Sequence, residues 1–454
     1  MRIIEGFEQA KVALSRQAAI ESYSVSPAVR RKIKGVFGAE LSPEQAVKQI
    51  IDEVRIRGDA ALFDYTFKID GVKLTSLEVT KRQIVSAYRK VDEELLSALK
   101  FAAERIRSFH KAQKDNVWSE FTRMGLSQLV RPLERVGLYA PGGTASYPST
   151  VLMTAIPAKV AGVREVILVT PPRERGAISA ATLVAADIAG VSRIFRVGGA
   201  QAIAALAFGT ESIPKVDKVC GPGNIFVVLA KKMVYGAVGI DGLQGPSEVL
   251  IIADETANAK YCAADILAQA EHDPLASAIL LTTSRRLANE VNKEVEQQLK
   301  GLTRQTVIAE SLDNRGIIAV VASVDEAIEL ANIYAPEHLS LMMDKADAYI
   351  DEIANAGCIF IGGNSTVVLG DYVAGPSHAL PTAGTARFSS PLSVADFIKF
   401  INVVNIEKAS LKKLGQVAVT IARAEGFEAH ARAVEKRLEK GNVGKHRNRE
   451  IYTT

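Results

Sequence analysis

Residues 163–202, VREVILVTPPRERGAISAATLVAADIAGVSRIFRVGGAQA, decide the fold class. Val166 to Thr170 is an apolar run of strand length. A helical stretch follows to about Ala189, and Arg193 to Gly198 predicts a second strand. VGGAQA then opens another helix, and a strand is expected near Val219. Strands alternating with helices predict a parallel α/β unit.

The same layout recurs downstream, without a sequence repeat. Strands are expected at Glu248 to Ala253, Ser277 to Thr283, Ile317 to Val321 and Cys358 to Ile361. Helices are expected between them, at Asn258 to Glu271, Arg285 to Leu299 and Asp325 to Ile333. Upstream, residues 1 to about 115 are charge-rich and read mostly as helix. Apolar residues in 43–70 (PEQAVKQIIDEVRIRGDAALFDYTFKID) fall at helical spacing, with a break at Gly58. Residues 117–140 alternate and predict strands leading into the loop PGGTASYPST. From Ser393 to about Lys440 the chain reads as a charge-rich helical appendage outside both sheets.

Composition fits a globular chain. It has 454 residues and is 48% hydrophobic, and 55 Lys+Arg against 51 Asp+Glu leave +4. At roughly 150 residues per domain this predicts two to three domains. Interleaved charges argue against a nucleic-acid footprint. The basic tail (Lys436, Arg437, Lys440, Lys445, Arg447, Arg449) reads as solvated, because no aromatic residues interleave it. No uncharged apolar run approaches the ~18 residues of a membrane helix. The first residues, MRIIEGFEQAKVALSRQ, carry charge where a signal peptide needs an apolar core. Cys220, Cys262 and Cys358 are far apart, with no CxxC pair, which suits a reducing compartment. A soluble, cytoplasmic protein with no membrane or nucleic-acid partner is expected.

Four of the six histidines lie in polar clusters: AQAEHD, APEHLS, AGPSHALPT and EGFEAH. One such histidine is ordinarily a satisfied core or surface group; four together point to chemistry. Gln269 and His272 are three apart on an expected helix and share a face, as a pair of metal ligands would. Glu337 and His338 follow a helix-ending proline, where a carboxylate and an imidazole can splay around one site as bases. Asp371 and His378 lie on a Gly/Pro-framed loop, whereas Glu425 and His430 lie on the appendage. There is no G-x-G-x-x-G, so the dinucleotide fingerprint is absent. PGGTASYPST, VGGAQA and CGPGN are loops whose amides could approach phosphates, or simply tight turns. The cysteines read as structural thiols.

In this order, VGLYAPGGTASYPSTVLM, VGGAQAIAALAFGTE, KVCGPGN, GPSEVLIIAD, ILAQAEHD, YAPEHLSLM, GDYVAGPSHALPT, ARFSSPLSV and EGFEAHARAV resemble the histidinol dehydrogenase family, over about residues 135–435. The resemblance implies two incomplete Rossmann-like (aldehyde-dehydrogenase-like) parallel-sheet units with N- and C-terminal helical appendages. Their expected extents are a helical segment at 1–26, a metal and substrate unit at 27–137 plus 247–381, a nicotinamide unit at 138–246, and an appendage at 382–454. It implies zinc, one per subunit, held by Gln269, His272, Asp371 and His430, and a catalytic pair, Glu337 and His338. Substrate contacts would include Ser247, Glu425 and the zinc ligands, besides His338. NAD contacts would include Tyr139, Gln201 and Asn224.

The implied activity is NAD-dependent oxidation of L-histidinol to L-histidine through L-histidinal, in a homodimer whose appendage completes the neighbour's site. The stretch IDGLQGPSE and the GPSH segment depart from the usual family sequences near the substrate. They keep in view a paralogue acting on another small polar alcohol, such as a hydroxyalkyl sulfonate. Readings from other classes are a zinc hydrolase using Glu337 and a two-lobed binding protein.

Overall fold

The computed structural model describes residues 1–15, 27–123, 125–142 and 146–439. The middle of the PGGTASYPST loop, the segment 16–26, residue 124 and the tail beyond 439 lie outside the described residues. The chain divides into a first unit, Met1–Val117 with Pro132–Lys399, and a second, Trp118–Arg131 with Phe400–Thr454.

In chain order the strands are β1 (Arg2–Glu5), β2 (Phe121–Arg123), β3 (Leu126–Pro132), β4 (Arg135–Tyr139), β5 (Glu165–Thr170), β6 (Arg193–Arg196), β7 (Lys218–Cys220), β8 (Gly239–Ile240), β9 (Glu248–Ala253), β10 (Ser277–Thr282), β11 (Gly316–Val320), β12 (His338–Met342), β13 (Cys358–Ile361) and β14 (Ile398–Val404). The first unit holds two parallel sheets. One has six strands in the order β1-β11-β10-β9-β12-β13, the other five in the order β6-β5-β4-β7-β8. EVLIIA in β9 and SAILLT in β10 are buried at every position. Continuous apolar runs of this kind mark strands covered by helices on both faces. Two separate cores confirm it, one around Ile251, Ile266 and Leu280, the other around Ile252, Leu281 and Leu339. The fold class is α/β with two parallel sheets, as the alternation at 163–202 predicts.

Three features differ from the sequence reading. Residues 1–26 were expected to be helical, but Arg2–Glu5 pairs with β11 as an edge strand. The helices Pro43–Arg57 and Asp59–Asp70 share a core with the five-stranded sheet, through Val47, Ile50, Leu62 and Tyr65 against Ile203, Leu206 and Val227. The sequence grouped them with the other sheet, because an amphipathic face does not name what it covers. The stretch after Ser393 was expected to be helical throughout, but it contains β14, in a three-stranded sheet ordered β14-β3-β2. The helices Lys408–Ala424 and Glu428–Leu438 follow and pack on each other, with Gly415 against Val434 and Leu438. Among the described residues no helix is long and apolar enough to cross a membrane.

Candidate active site

The two sheets of the first unit face one cleft with opposite edges. Gly221–Asn224 follows β7, at the carboxyl edge of the five-stranded sheet, where α/β folds usually bind ligands. Ser247, Glu337 and His338 stand at the starts of β9 and β12, at the amino edge of the six-stranded sheet. The cleft has a volume of about 520 Å³, and Asn224, Ser247, His272, Glu337, His338 and Asp371 are among its walls.

Glu337 and His338, the pair expected to be catalytic, are held largely by backbone. The helix Val324–Tyr334 ends at Ala335, which adopts a left-handed φ of 51°; Pro336 then starts the turn into β12. Glu337 Oε2 accepts from the Ser247 hydroxyl at 2.6 Å and from the Glu248 amide at 2.8 Å. Both bonds go to Oε2, which leaves Oε1 for water in the cleft. His338 Nδ1 donates to the Glu248 carbonyl at 2.8 Å, so Nε2 is the nitrogen able to exchange a proton. That Nε2 lies 3.7 Å from Asp371 Oδ1, and Nδ1 lies 3.5 Å from Glu337 Oε2. Both side chains of the pair are buried, Glu337 at 6% exposure and His338 at 3%. Burial pushes the Glu337 carboxyl up, against the pull of His338 and Ser247. Burial pulls His338 down, but the charges of Glu337 and Asp371 outweigh it and raise the imidazole. Both shifts are upward, so the carboxyl moves toward neutrality, and His338 acts as a base only in the fraction whose Nε2 is unprotonated.

Gly357 supports this turn from below. Its amide donates to the Pro336 carbonyl, and the next amide, of Cys358, donates to Glu337. A Cβ at Gly357 would stand 2.5 Å from the Glu337 carbonyl oxygen and 3.2 Å from Pro381. Gly357→Ala should therefore cost about 1–3 kcal/mol of stability. If Glu337 and His338 are catalytic as expected, turnover should fall further than that loss alone explains, because the displaced atom is the Glu337 carbonyl oxygen. Unfolding midpoints and kcat on one preparation check this; unchanged kcat would dissociate the glycine from the pair.

The donor set expected for a metal is partly assembled here. The helix Ala259–Ala270 stops one residue after Gln269, and Glu271 caps it. The His272 amide bonds the Gln269 carbonyl at 3.3 Å, so the turn keeps the two residues close although His272 lies beyond the helix. Gln269 is 3% exposed and its Nε2 has no partner. His272 is exposed at the cleft, yet the protein crowded round it pulls its imidazole down. Burial pushes Asp371 up, but the contact with His338 and the charges of His378 and His272 outweigh it and hold the carboxyl low. A neutral imidazole, an ionised carboxylate and an amide are the protonation states that a divalent cation requires. Among the described residues no three His, Cys, Asp or Glu side chains gather as metal ligands. Glu425 and His430 lie in the second unit, both exposed; Glu425 caps Lys408–Ala424, and the His430 ring rests against Phe427 at 5.2 Å.

The residues expected to touch the cofactor do not sit alike. Asn224 is exposed and caps the helix Ile225–Val234, its oxygen accepting from Phe226 and Val227. Tyr139 ends β4 and is 4% exposed; its hydroxyl accepts from the Gly199 amide at 3.2 Å. Gln201 is fully buried, with both ends of its amide unpaired. His378, visible in the sequence but given no role there, lines the same cleft. Its Nδ1 donates to the Asp371 carbonyl at 2.8 Å, and burial pulls it down, so it stays neutral with the lone pair on Nε2.

The family model for histidinol dehydrogenase matches residues 39–438. A histidinol dehydrogenase of Dehalococcoides mccartyi is 58% identical over 439 residues, covering 97% of this chain and 100% of that protein. One from Clostridium acetobutylicum is 52% identical over 396 residues, covering 87% of this chain and 92% of its own. The crystal structure of histidinol dehydrogenase from Elizabethkingia anophelis matches with a TM-score of 0.87 at 37% identity, covering 96% of this chain and 98% of that one. With likeness of this extent in sequence and in fold, the chain belongs to the histidinol dehydrogenase family of oxidoreductases.

Proposed function

We propose that the protein oxidises L-histidinol to L-histidine through L-histidinal, the last steps of histidine biosynthesis, using NAD. The observation that carries this is the Glu337–His338 pair, pinned to β9 through Ser247 and Glu248 at the wall of the cleft. NAD, when bound, accepts a hydride in each of two oxidations. His338 Nε2 takes the proton of the substrate hydroxyl as the first hydride leaves. Glu337 Oε1 then takes a proton from the water that adds to the aldehyde. His338, having released its first proton to solvent, takes the hydroxyl proton of the hydrate in the second oxidation.

The cysteines support a hydrate route over a thioester. Cys220 and Cys262 are fully buried. Burial pushes the Cys262 thiol up to about 12 and Cys358 up to about 11, so neither supplies a thiolate near neutrality.

Gln269, His272 and Asp371 would hold a zinc ion with His430 of the partner subunit; bound there, the ion would hold the imidazole and amine of the substrate. The neutral His272 and the ionised Asp371 support that assignment. The unpaired Gln201 amide suits a polar group of the cofactor, beside Tyr139 and Asn224. NADH formed from histidinol and NAD tests the activity; histidinol consumed without NADH would contradict it.

A homodimer accounts for the second unit. Leu414, Val417 and Ile421 are exposed at helical spacing along Lys408–Ala424, a stripe that a second copy would cover. His338→Ala and His430→Ala should then each be nearly inactive alone. Co-refolded in equal amounts, half the dimers are mixed, each with one intact site and one doubly broken one. About a quarter of wild-type activity should return. A mixture that stays inactive despite demonstrated subunit exchange would place the whole site in one chain.

A further inference from the structure

Gln269 can reach a metal only through its oxygen, yet the two ends of an amide are nearly the same size, so something must choose which end faces outward. Asp265 lies four residues earlier on the helix Ala259–Ala270, one turn away on the same face. It is 6% exposed. Its Oδ1 accepts from the Thr366 hydroxyl at 2.6 Å, while its Oδ2 is buried without a partner. Gln269 Nε2, a donor, is likewise buried without a partner. Such orphaned atoms are uncommon, and here a donor and an acceptor fall one turn apart.

We infer that Asp265 is a positioning residue for the metal site: when a cation is held, its Oδ2 receives the Gln269 NH2, a bond the two atoms do not make here, and so keeps the amide oxygen toward the cation. The inference rests on Gln269 and Asp371 being ligands, as proposed above. Burial pushes the Asp265 carboxyl up and the Thr366 bond pulls it back; in its ionised form it only accepts, so it can bond the nitrogen end of the amide and not the oxygen end. Thr366 fixes the other carboxylate oxygen, and Thr366 is also the N-cap of the helix Val367–Tyr372, which carries Asp371. One buried carboxylate thus ties together the two elements that present Gln269 and Asp371. Groups that orient ligands in this way typically change metal affinity by about 10–100-fold when removed.

The test is zinc affinity of the full-length protein, stripped by a chelator and titrated with zinc against a chromogenic competitor. Asp265→Leu removes the acceptor and a buried unpaired oxygen together. It should weaken zinc binding by about 10–100-fold, beyond whatever the loss of the Thr366 bond does to the melting temperature of the stripped protein. A purely structural residue would lower that melting temperature and leave zinc affinity as in wild type. Asp265→Asn keeps an acceptor toward Gln269 and should fall between. Thr366→Val loosens the carboxylate and should weaken zinc binding by less than Asp265→Leu, and it decides the matter if Asp265→Leu does not fold. His272→Ala separates the two readings. If wild type holds one zinc that His272→Ala loses, while Asp265→Leu and Thr366→Val bind like wild type, the positioning role alone is overturned. If wild type binds no zinc, or His272→Ala binds it equally, the metal site itself is overturned, and this inference with it.

Discussion

Replacing His338 with alanine is expected to slow both hydride transfers by about 10²–10⁴-fold, the usual contribution of a general base. Its Nε2 is the exchangeable nitrogen of the pair, because Nδ1 is committed to the Glu248 carbonyl. Glu337→Gln should behave differently. Glutamine keeps an oxygen that can accept from Ser247 and Glu248, so the turn survives, but it cannot take a proton from water. Oxidation of the alcohol should then run near the wild-type rate, while oxidation of the aldehyde should fall and histidinal should accumulate. Single-turnover assays started from each substrate separate the two steps. Equal losses from the two variants in the first hydride transfer would refute the division of labour.

The second large effect lies away from the reacting atoms. Lys231 is 1% exposed, and its Nζ meets Asp241 Oδ1 at 2.5 Å, the Gly221 carbonyl at 3.0 Å and Gln244 Oε1 at 2.8 Å. Asp241 Oδ2 accepts from the Gly221 amide at 2.7 Å. This ion pair clamps both the Gly221–Asn224 loop and the segment leading to Ser247. Lys231→Met would leave Asp241 buried without its counter-charge, which costs about 3–5 kcal/mol when a buried pair is broken from one side. Denaturant midpoints should show that loss, and NAD affinity should weaken as the loop slackens. Adding Asp241→Leu should return part of the stability, because no charge is then stranded. A double variant no more stable than Lys231→Met would show that the pair is not the source.

Much of this was readable in the sequence where the signal is local. β5, β6, β9 and β10 are apolar runs bounded by turns, and they appear where expected. β12 was not expected, because HLSLM is only five residues, opens on a polar side chain and follows directly on a helix end. Yet its register beside β9 is what commits His338 Nδ1 to the Glu248 carbonyl, a partner 90 residues away. Gln269 and His272 were legible as neighbours from their spacing, but the helix end between them was not. Lys231 and Lys232 are adjacent in IFVVLAKKMV, and only the fold shows Lys231 buried on Asp241 while Lys232 is exposed. Gly357 carries no motif at all, and its role depends on the carbonyl of a residue 20 positions earlier.

The central claim is that one site carries out both oxidations without a cysteine. The most direct measurement counts NADH formed and histidinol consumed in the same reaction, with histidine and histidinal assayed at its end. The account predicts two NADH and one histidine for each histidinol, with no free aldehyde. One NADH per histidinol with histidinal as the product would contradict the second oxidation, and loss of histidinol with no NADH would contradict the dehydrogenase reading altogether.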